Sequence, residues 1–337
     1  MGGEPQRVRA PNIRDVAALA GVSHQTVSRV LNDSPSIRPS TRERVLAVIH
    51  EIGYRPSQAA RALVTSRSRM IGVLSTQSAQ YGPTTSVNAI EQAARAAGYR
   101  LSITTVSSGE AASLAAAVDY LLSQAVEAIV VIAPQVGLFA ALSGLKIDVP
   151  FVTLESTGSD PDHSLSVDQL AGARLATAHL IGLGHTEIAH LAGPSDWTEA
   201  NARREGFLTE VRAAGLREHP VSVGDWSARS GYEAGKRMLA SREFSAVFAG
   251  NDQMALGLVH AAHELGIGVP GELSVVGFDD MPEAAHFLPA LTTVRQDFAE
   301  IGRRAVAQLL AELRSDGDSE HGRIPPELVI RSSTAPR

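Results

Sequence analysis

From residue 70 onward, unbroken apolar runs alternate with alanine-rich stretches of helical period, and few folds accept that pattern. The runs are "MIGVLS" (70–75), "RLSITTV" (100–106), "AIVVIA" (128–133), "PFVTLE" (150–155), "EIAHLAG" (187–193), "HPVSVG" (219–224), "SAVFAG" (245–250) and "LSVVGFDD" (273–280). A strand that stays apolar along its length is buried on both faces, as in parallel sheets. Helical periodicity falls over 86–97, 111–123, 168–182, 200–214, 228–240, 252–265 and 298–314. Strands alternating with helices build parallel sheets covered on both sides. Eight such units are many for one sheet, so an α/β body of two similar lobes is expected. In such sheets a cleft lies at the carboxyl ends of the strands.

Polar groups gather at those strand ends. Glu155 follows "PFVTL", Asn251, Asp252 and Gln253 follow "SAVFAG", Asp279 and Asp280 follow "SVVGF", and Gln296 and Asp297 follow "LTTVR". Trp226 follows "SVGD", and Arg203 lies at the start of a helical stretch. Carboxylates and amides pair with hydroxyls as donors and acceptors, and an aromatic face covers the apolar side of a sugar ring. Each residue also has a plain structural role open to it: Asn251 or Asp252 as a helix cap, Asp279 in a turn, Trp226 in the core. The chain lacks a phosphate-binding G-x-x-x-x-G-K-[ST], a G-x-G-x-x-G, an H-E-x-x-H and a G-x-S-x-G. His179, His185, His190, His260, His263 and His286 show no metal spacing and read as surface or helix-end residues. No cofactor and no metal are expected, and catalysis is disfavoured.

The first 69 residues are a different kind of chain. They hold 11 Arg against 5 acids, a net of +6, so the remainder carries −12 of the overall −6. A basic head on an acidic body suits a polyanionic partner. Asn12 is placed to cap a helix from Ile13 that buries Val16, Ala17 and Ala20, and Gly21 ends it. Ser23 caps a second helix, His24 to Leu31. Two helices joined by so short a Gly-containing turn form a helix-turn-helix. Ser40 and Glu43 read as a capping box for a third helix, with Val45, Val48, Ile49 and Ile52 as its apolar stripe and Gly53 as its stop. His24, Gln25, Ser28 and Arg29 share the outward face of the second helix. Arg can pair with guanine, and Gln with adenine, through two bonds in the major groove. "RPSQAARALVTSRSR" then reads as a linker that orders only in context, with Ser57 as a helix cap.

The N-terminal "MGGEPQRVRAP" contains no apolar stretch, no run approaches the ~20 residues of a membrane span, and there is no cysteine. These features fit a cytoplasmic, nucleoid-associated protein without disulfides.

The stretches "DVAALAGVSHQTVSRVLN", "TRERVLAVIHEIGYRP", "LAGP", "GDWSARSGY", "NDQMALG", "LSVVGFDD" and "PALTTVRQDFAEIG" together resemble the LacI/GalR family of bacterial repressors, from about Asn12 to Arg331. The resemblance implies a reading head (1–54), a hinge helix within 55–69 that folds on operator DNA, and a periplasmic-binding-protein-like core (70–331). The core's lobes would be 70–167 with 298–323, and 168–297 with 324–331. It aligns His24, Gln25 and Arg29 with the base readers, and Leu63 with a leucine wedged into the minor groove. Thr26, Ser28 and Ser57 complete the residues expected at DNA. Arg203, Trp226, Asn251, Gln253, Asp279, Gln296 and Phe298 match effector-pocket positions. Ile132, Glu155, Val167 and Glu199 stand where a sugar-responsive member of the family carries Asn, Asp, Phe and Ser. The expected partners are a pseudo-palindromic operator, a small effector of the sugar or galactoside class, and a second copy of the chain. A tetramer is not expected, since the sequence stops without a heptad tail. The rival readings are a sugar-binding module without a DNA role and a sugar-modifying enzyme.

Overall fold

The computed structural model describes residues 11–31, 34–55, 67–76, 80–106, 111–132, 135–136, 141, 144–154, 163–314 and 322–337. Ser57, Leu63, Glu155 and most of the expected hinge segment lie outside them. The chain divides into two compact units, Met1–Ser68 and Arg69–Arg337.

The first unit holds α1 (Ile13–Ala20), α2 (His24–Leu31) and α3 (Pro39–Glu51). They close over a small core of Val16, Ala17, Ala20, Val27, Val30, Val45 and Val48. The Asn12 side chain accepts from the Arg14 and Asp15 amides, and Asp15 returns a bond to the Asn12 amide, satisfying the orphan donors of the first turn. Gly21 ends α1 at φ +65°, a conformation glycine adopts without a Cβ clash. The capping box expected at Ser40 and Glu43 is not formed. Helix α3 starts two residues earlier than that box would place it, at Pro39, with Arg38 at the cap and no side-chain cap bond. Proline at the first helical position loses only an amide that had no partner anyway.

The second unit contains two sheets. One orders its strands β2-β1-β3-β4-β5: β1 (Met70–Thr76), β2 (Arg100–Val106), β3 (Ala128–Ile132), β4 (Phe151–Leu154) and β5 (Ser164–Leu165). The other runs β7-β6-β8-β9-β10-β11: β6 (Ile188–Ala192), β7 (Ser222–Val223), β8 (Ala246–Ala249), β9 (Ser274–Asp279), β10 (Thr292–Arg295) and β11 (Glu327–Val329). All pairings are parallel except β10 with β11. The two sheets share one strand order, with a reversal between β1 and β3 and again between β6 and β8. Ligand crevices form at such reversals. Helices α4 (Tyr81–Ala96), α5 (Ala111–Ser123), α6 (Gln169–Gly182), α7 (Thr198–Ala213), α8 (Ala228–Met238), α9 (Asp252–Glu264) and α10 (Phe298–Arg314) cover the faces.

Helix α10 belongs to the first sheet's core with Ile71, Ile90 and Val130, although β10 before it and β11 after it belong to the second. The chain therefore crosses between lobes three times. Two crossings are bonded to each other: the Asp168 amide donates to the Ile324 carbonyl (2.9 Å) and the Ile324 amide to the Ser166 carbonyl (2.9 Å).

Two histidines depart from the surface reading. His190 is 1% exposed in the middle of β6, stacked between Phe207 and Phe248, with burial holding its pKa down at about 4. His185 is buried against Ser245, Ser274 and the Ala335 carbonyl, and ties the C-terminal strap to the starts of β8 and β9. Imidazole is flat and half apolar, so it fills a core once one or two polar partners are supplied.

Candidate functional site

On the first unit, the packing that buries Val27 and Val30 leaves the other face of α2 outward. His24, Gln25 and Arg29 are exposed, and Thr26 and Ser28 are half-buried. Ser23 holds the start of α2: its hydroxyl accepts from the Thr26 amide (3.1 Å) and lies 2.9 Å from the Thr26 hydroxyl. Three long polar side chains thus stand on a rigid, capped helix.

In the second unit a cleft separates the lobes at the carboxyl ends of the strands. It has two adjoining compartments, of about 320 and 490 Å³ with their open mouths included. The smaller is lined by Gln80, Tyr81, Gly82, Glu199, Arg203, Asn251 and Asp279 beside Trp197 and Trp226. Apolar groups dominate the larger, chiefly Ile132, Leu154, Leu165, Val167, Phe298 and Ile301, with Gln169 and Gln296 among its polar liners. Gly82, Trp197, Glu199 and Arg203 border both.

The floor is a closed ring of buried polar side chains from four different segments. Arg203 Nε donates to Gln169 Oε1 (2.9 Å), Gln169 Nε2 to Gln296 Oε1 (2.7 Å), and Gln296 Nε2 to Asp279 Oδ1 (2.6 Å). Arg203 closes the ring, with its guanidinium 3.5 Å from Asp279 Oδ1. It also donates to the Gly250 carbonyl at the β6–β8 reversal. Its guanidinium lies 3.9 Å from the centroid of the Phe278 ring, which the sheet holds beneath it. Gln169 opens α6 just after the first crossing, and Gln296 lies between β10 and α10 at the second. Burial pushes the Asp279 carboxyl up to about 6, while Arg203 and then Gln296 pull it the other way. Burial also acts against the charge on Arg203, and Asp279 opposes that shift. Arg203 remains the cation, since the guanidinium starts from so high a pKa.

The backbone at Asp279 has φ +111° and at Asp280 φ +51°, values that L-residues seldom adopt. The turn is held because Asp280 accepts from Arg295 (2.7 Å) and Arg331 (2.6 Å). Backbone in such regions clusters at binding sites, where surrounding contacts enforce it.

The other expected residues fall out as follows. Asn251 does two things at once: its oxygen caps α9 at the Met254 amide, and its amide donates to the Trp226 carbonyl. Trp226 is only 3% exposed and lies in the second lobe's core, yet it still borders the cleft. Its φ of +74° follows from Asp225, whose carboxylate accepts from the Ser227 amide and hydroxyl across the turn. Asp252 faces inward, bonded to Thr293 and the Met281 amide, and burial raises its pKa well above the usual range. Gln253 lines neither compartment, and its side-chain oxygen is buried without a partner. Gln80, Tyr81, Gln169 and Trp197 were not expected. Each sits at the start of a helix, where one strand-helix unit looks like the next.

Gly193 gives a direct test of the Trp226 position. A Cβ there would meet three carbons of the indole at 2.1 to 2.5 Å. Gly193→Ala should displace the ring, shift its fluorescence, and lower stability by about 1–3 kcal/mol, as overpacked cores do. An unchanged spectrum and unfolding midpoint would mean the ring is not packed there.

Two family profiles match the chain: "Bacterial regulatory proteins, lacI family" over residues 12–57 and "Periplasmic binding protein-like domain" over residues 177–334. The lactose operon repressor of Escherichia coli K12 is 35% identical over 322 residues, covering 95% of this chain and 89% of that one. The HTH-type transcriptional repressor PurR of Proteus mirabilis is 33% identical over 331 residues, covering 96% of each. Among solved structures, the lac repressor dimer bound to operator and the anti-inducer ONPF superposes with a TM-score of 0.86 at 33% identity, over 97% of this chain and 100% of that one.

Proposed function

The chain belongs to the lacI family of bacterial regulatory proteins, and from that premise we propose that it binds its operator as a homodimer and is released by a small uncharged sugar. Members of the family are DNA-binding transcriptional repressors with a ligand-binding core, and both parts are present here. One α2 reads a half-site, so a two-fold operator calls for a second copy of the chain. Operator DNA is the partner in the relative's structure, and a cytoplasmic site of action goes with it. Arg29 and Gln25 are the base readers, with His24, Thr26 and Ser28 beside them, and the segment carrying Ser57 and Leu63 joins them at the operator.

The buried ring of Arg203, Gln169, Gln296 and Asp279 carries the ligand reading. Its members donate and accept around one polar wall, which suits hydroxyl groups that do both. Binding, and not catalysis, fits this wall because the Asp279 carboxylate is already committed to Arg203 and Gln296. Two of the four sit at the lobe crossings, so a ligand on the ring acts on the segments about which the lobes would turn. Such a ligand shifts the two states only by its difference in affinity for them. The first experiment is a thermal-shift screen of neutral mono- and disaccharides, since a ligand of the folded state raises its apparent stability. Hits should then release a selected operator; a screen without hits would overturn the sugar assignment.

The same contact predicts a pH dependence. A hydroxyl donating to Asp279 needs the carboxylate, which forms above about pH 6. Affinity should be level above pH 7 and weaken as the pH falls through 6, by about tenfold per unit below it. Titration calorimetry giving equal affinities at pH 5 and 7.5 would remove Asp279 from the contact.

A further inference from the structure

The polar ring on the floor of the cleft is nearly sealed. Arg203, Gln296 and Asp279 are 5%, 8% and 6% exposed, too little surface for a ligand's hydroxyls to be laid against them until the lobes part. What holds the lobes together differs along the cleft. The chain crossings border the larger compartment, through Ser166, Val167, Gln169 and Gln296. Beside the smaller compartment the lobes are joined by hydrogen bonds alone. Before α4, Gln80 of the first lobe donates through Nε2 to the Asp225 carbonyl of the second (3.2 Å). Past β3, Gln135 forms an antiparallel bridge with Trp197, and the Val136 amide donates to the Asp196 carbonyl (3.0 Å). Both anchor points in the second lobe are stiff. The Asp225 carboxylate accepts from the Ser227 amide and hydroxyl, and the Asp225 amide donates to the Ser230 hydroxyl. The Trp197 amide donates to the Pro194 carbonyl and its own carbonyl accepts from the Asn201 amide, both at 3.1 Å, which ties the bridge to the first turn of α7 ahead of Arg203. The first-lobe side is open to water: Val136 is 49% exposed, and Asp196 opposite it is exposed as well. Exposed hydrogen bonds of this kind open at far less cost than the fold does. The chain's two tryptophans lie at these contacts, Trp197 in the bridge and Trp226 next to Asp225, with their rings edge to face at 5.6 Å between centroids.

We propose that the Val136–Asp196 bridge and the Gln80–Asp225 bond are a clasp across the cleft, whose opening admits the effector and whose closing retains it. Every atom of the clasp belongs to the protein, so its strength sets the fraction of time the cleft stands open whatever the effector is. Opening precedes binding and closure follows it, as with lids that gate other sites. A clasp of this kind changes the rates of entry and release together and leaves their ratio, the affinity, nearly untouched. Its role as a gate rests on the reading of the cleft as a sugar site, and adds where the cleft opens and what sets the speed of the response.

The chain has no cysteine, so one engineered pair gives one disulfide. Val136 and Asp196 lie opposite each other beside the Gln135–Trp197 bridge and line neither compartment. Opposed residues of an antiparallel pair have Cα atoms ~4.5–5.5 Å apart, within the span of a disulfide. The full-length Val136→Cys/Asp196→Cys protein should therefore close its disulfide under mild oxidation with no saccharide added; a pair that stays reduced overturns the clasp. Stopped-flow tryptophan fluorescence then follows binding of the neutral saccharide that gives the largest thermal shift. The reduced pair should associate within about threefold of the wild-type rate. The oxidised pair should associate at least about a hundredfold more slowly, because the open state is removed, and reductant should restore the rate. Saccharide bound before oxidation should be retained by the same factor. Val136→Pro deletes the amide donor and should speed entry and release alike by about fivefold, the equilibrium factor for one lost hydrogen bond, with affinity unchanged. Equal association rates for the oxidised and reduced pair, or a proline variant that binds at the wild-type rate, overturn the clasp and leave the sugar site standing. If wild type binds no neutral saccharide, the sugar reading fails, and acrylamide quenching of the two tryptophans still decides the clasp. Quenching should fall in the oxidised pair and rise in the proline variant; equal quenching in all three proteins overturns it.

Discussion

A repressor carrying Asp279→Ala should hold its operator and fail to let go when effector is added. Asp279 is the acceptor at the end of the buried ring, taking a bond from Gln296 and facing Arg203 at 3.5 Å. Removing it leaves an arginine buried in the lobe without its counter-charge, at a cost of about 3–5 kcal/mol. It also removes the carboxylate that would accept ligand hydroxyls. Effector affinity should fall by at least about tenfold, or ~1.4 kcal/mol. Asp279→Asn keeps the shape of the ring but not the counter-charge, so it should recover only the packing and hydrogen-bonding part of the stability while affinity stays low. Operator binding without effector should be preserved in both, because the reading head has its own core and forms its own compact unit. Denaturant titration, calorimetry and operator binding read the three quantities separately. An Asp279→Ala protein that binds effector as wild type does would remove the ring from the site.

Arg29→Ala should cost about 1–3 kcal/mol per half-site on the preferred operator and relax the choice of base at one position. Arg29 is exposed on α2, one residue before the buried Val30, so the substitution spares the packing. A dimer uses the residue twice, which makes this the largest expected loss in DNA affinity from a single surface change. A contact to phosphate behaves differently. It weakens every sequence alike and lowers the salt dependence. Equal losses on operator and on random DNA would reassign Arg29 to the backbone.

Much of this architecture can be read from the sequence because burial writes itself along the chain. Uninterrupted runs such as "AIVVI" in β3 and "SVVGF" in β9 have few alternatives to a strand covered on both faces. Where local signals conflict with context, the reading slips. Helix α4 begins at Tyr81 instead of near 86, because Gly82 and Pro83 look like breakers but occupy a first turn whose amides need no partners. Strand β5, two residues long, carries too little pattern to be seen. At the site, Asp279 and Asn251 stand out because they are polar residues ending apolar strands. Trp197, Gln80 and Tyr81 do not, since they reach the cleft only through the meeting of two lobes far apart in sequence. Gln169 is hidden in another way. Nothing local separates a buried glutamine in a hydrogen-bonded ring from an exposed one following its helix cap at Asp168.

The DNA-reading head and the ligand cleft lie on one chain, and the ligand in the cleft is proposed to control the head. The most direct test is operator binding by fluorescence anisotropy on wild type and Asp279→Asn, with and without the uncharged glycoside that binds best. The wild-type operator affinity should fall by at least about tenfold with saturating glycoside, within the usual range of allosteric coupling, while the variant's stays unchanged at the same concentration. Equal operator affinity for wild type with and without a glycoside already shown to bind would contradict the coupling.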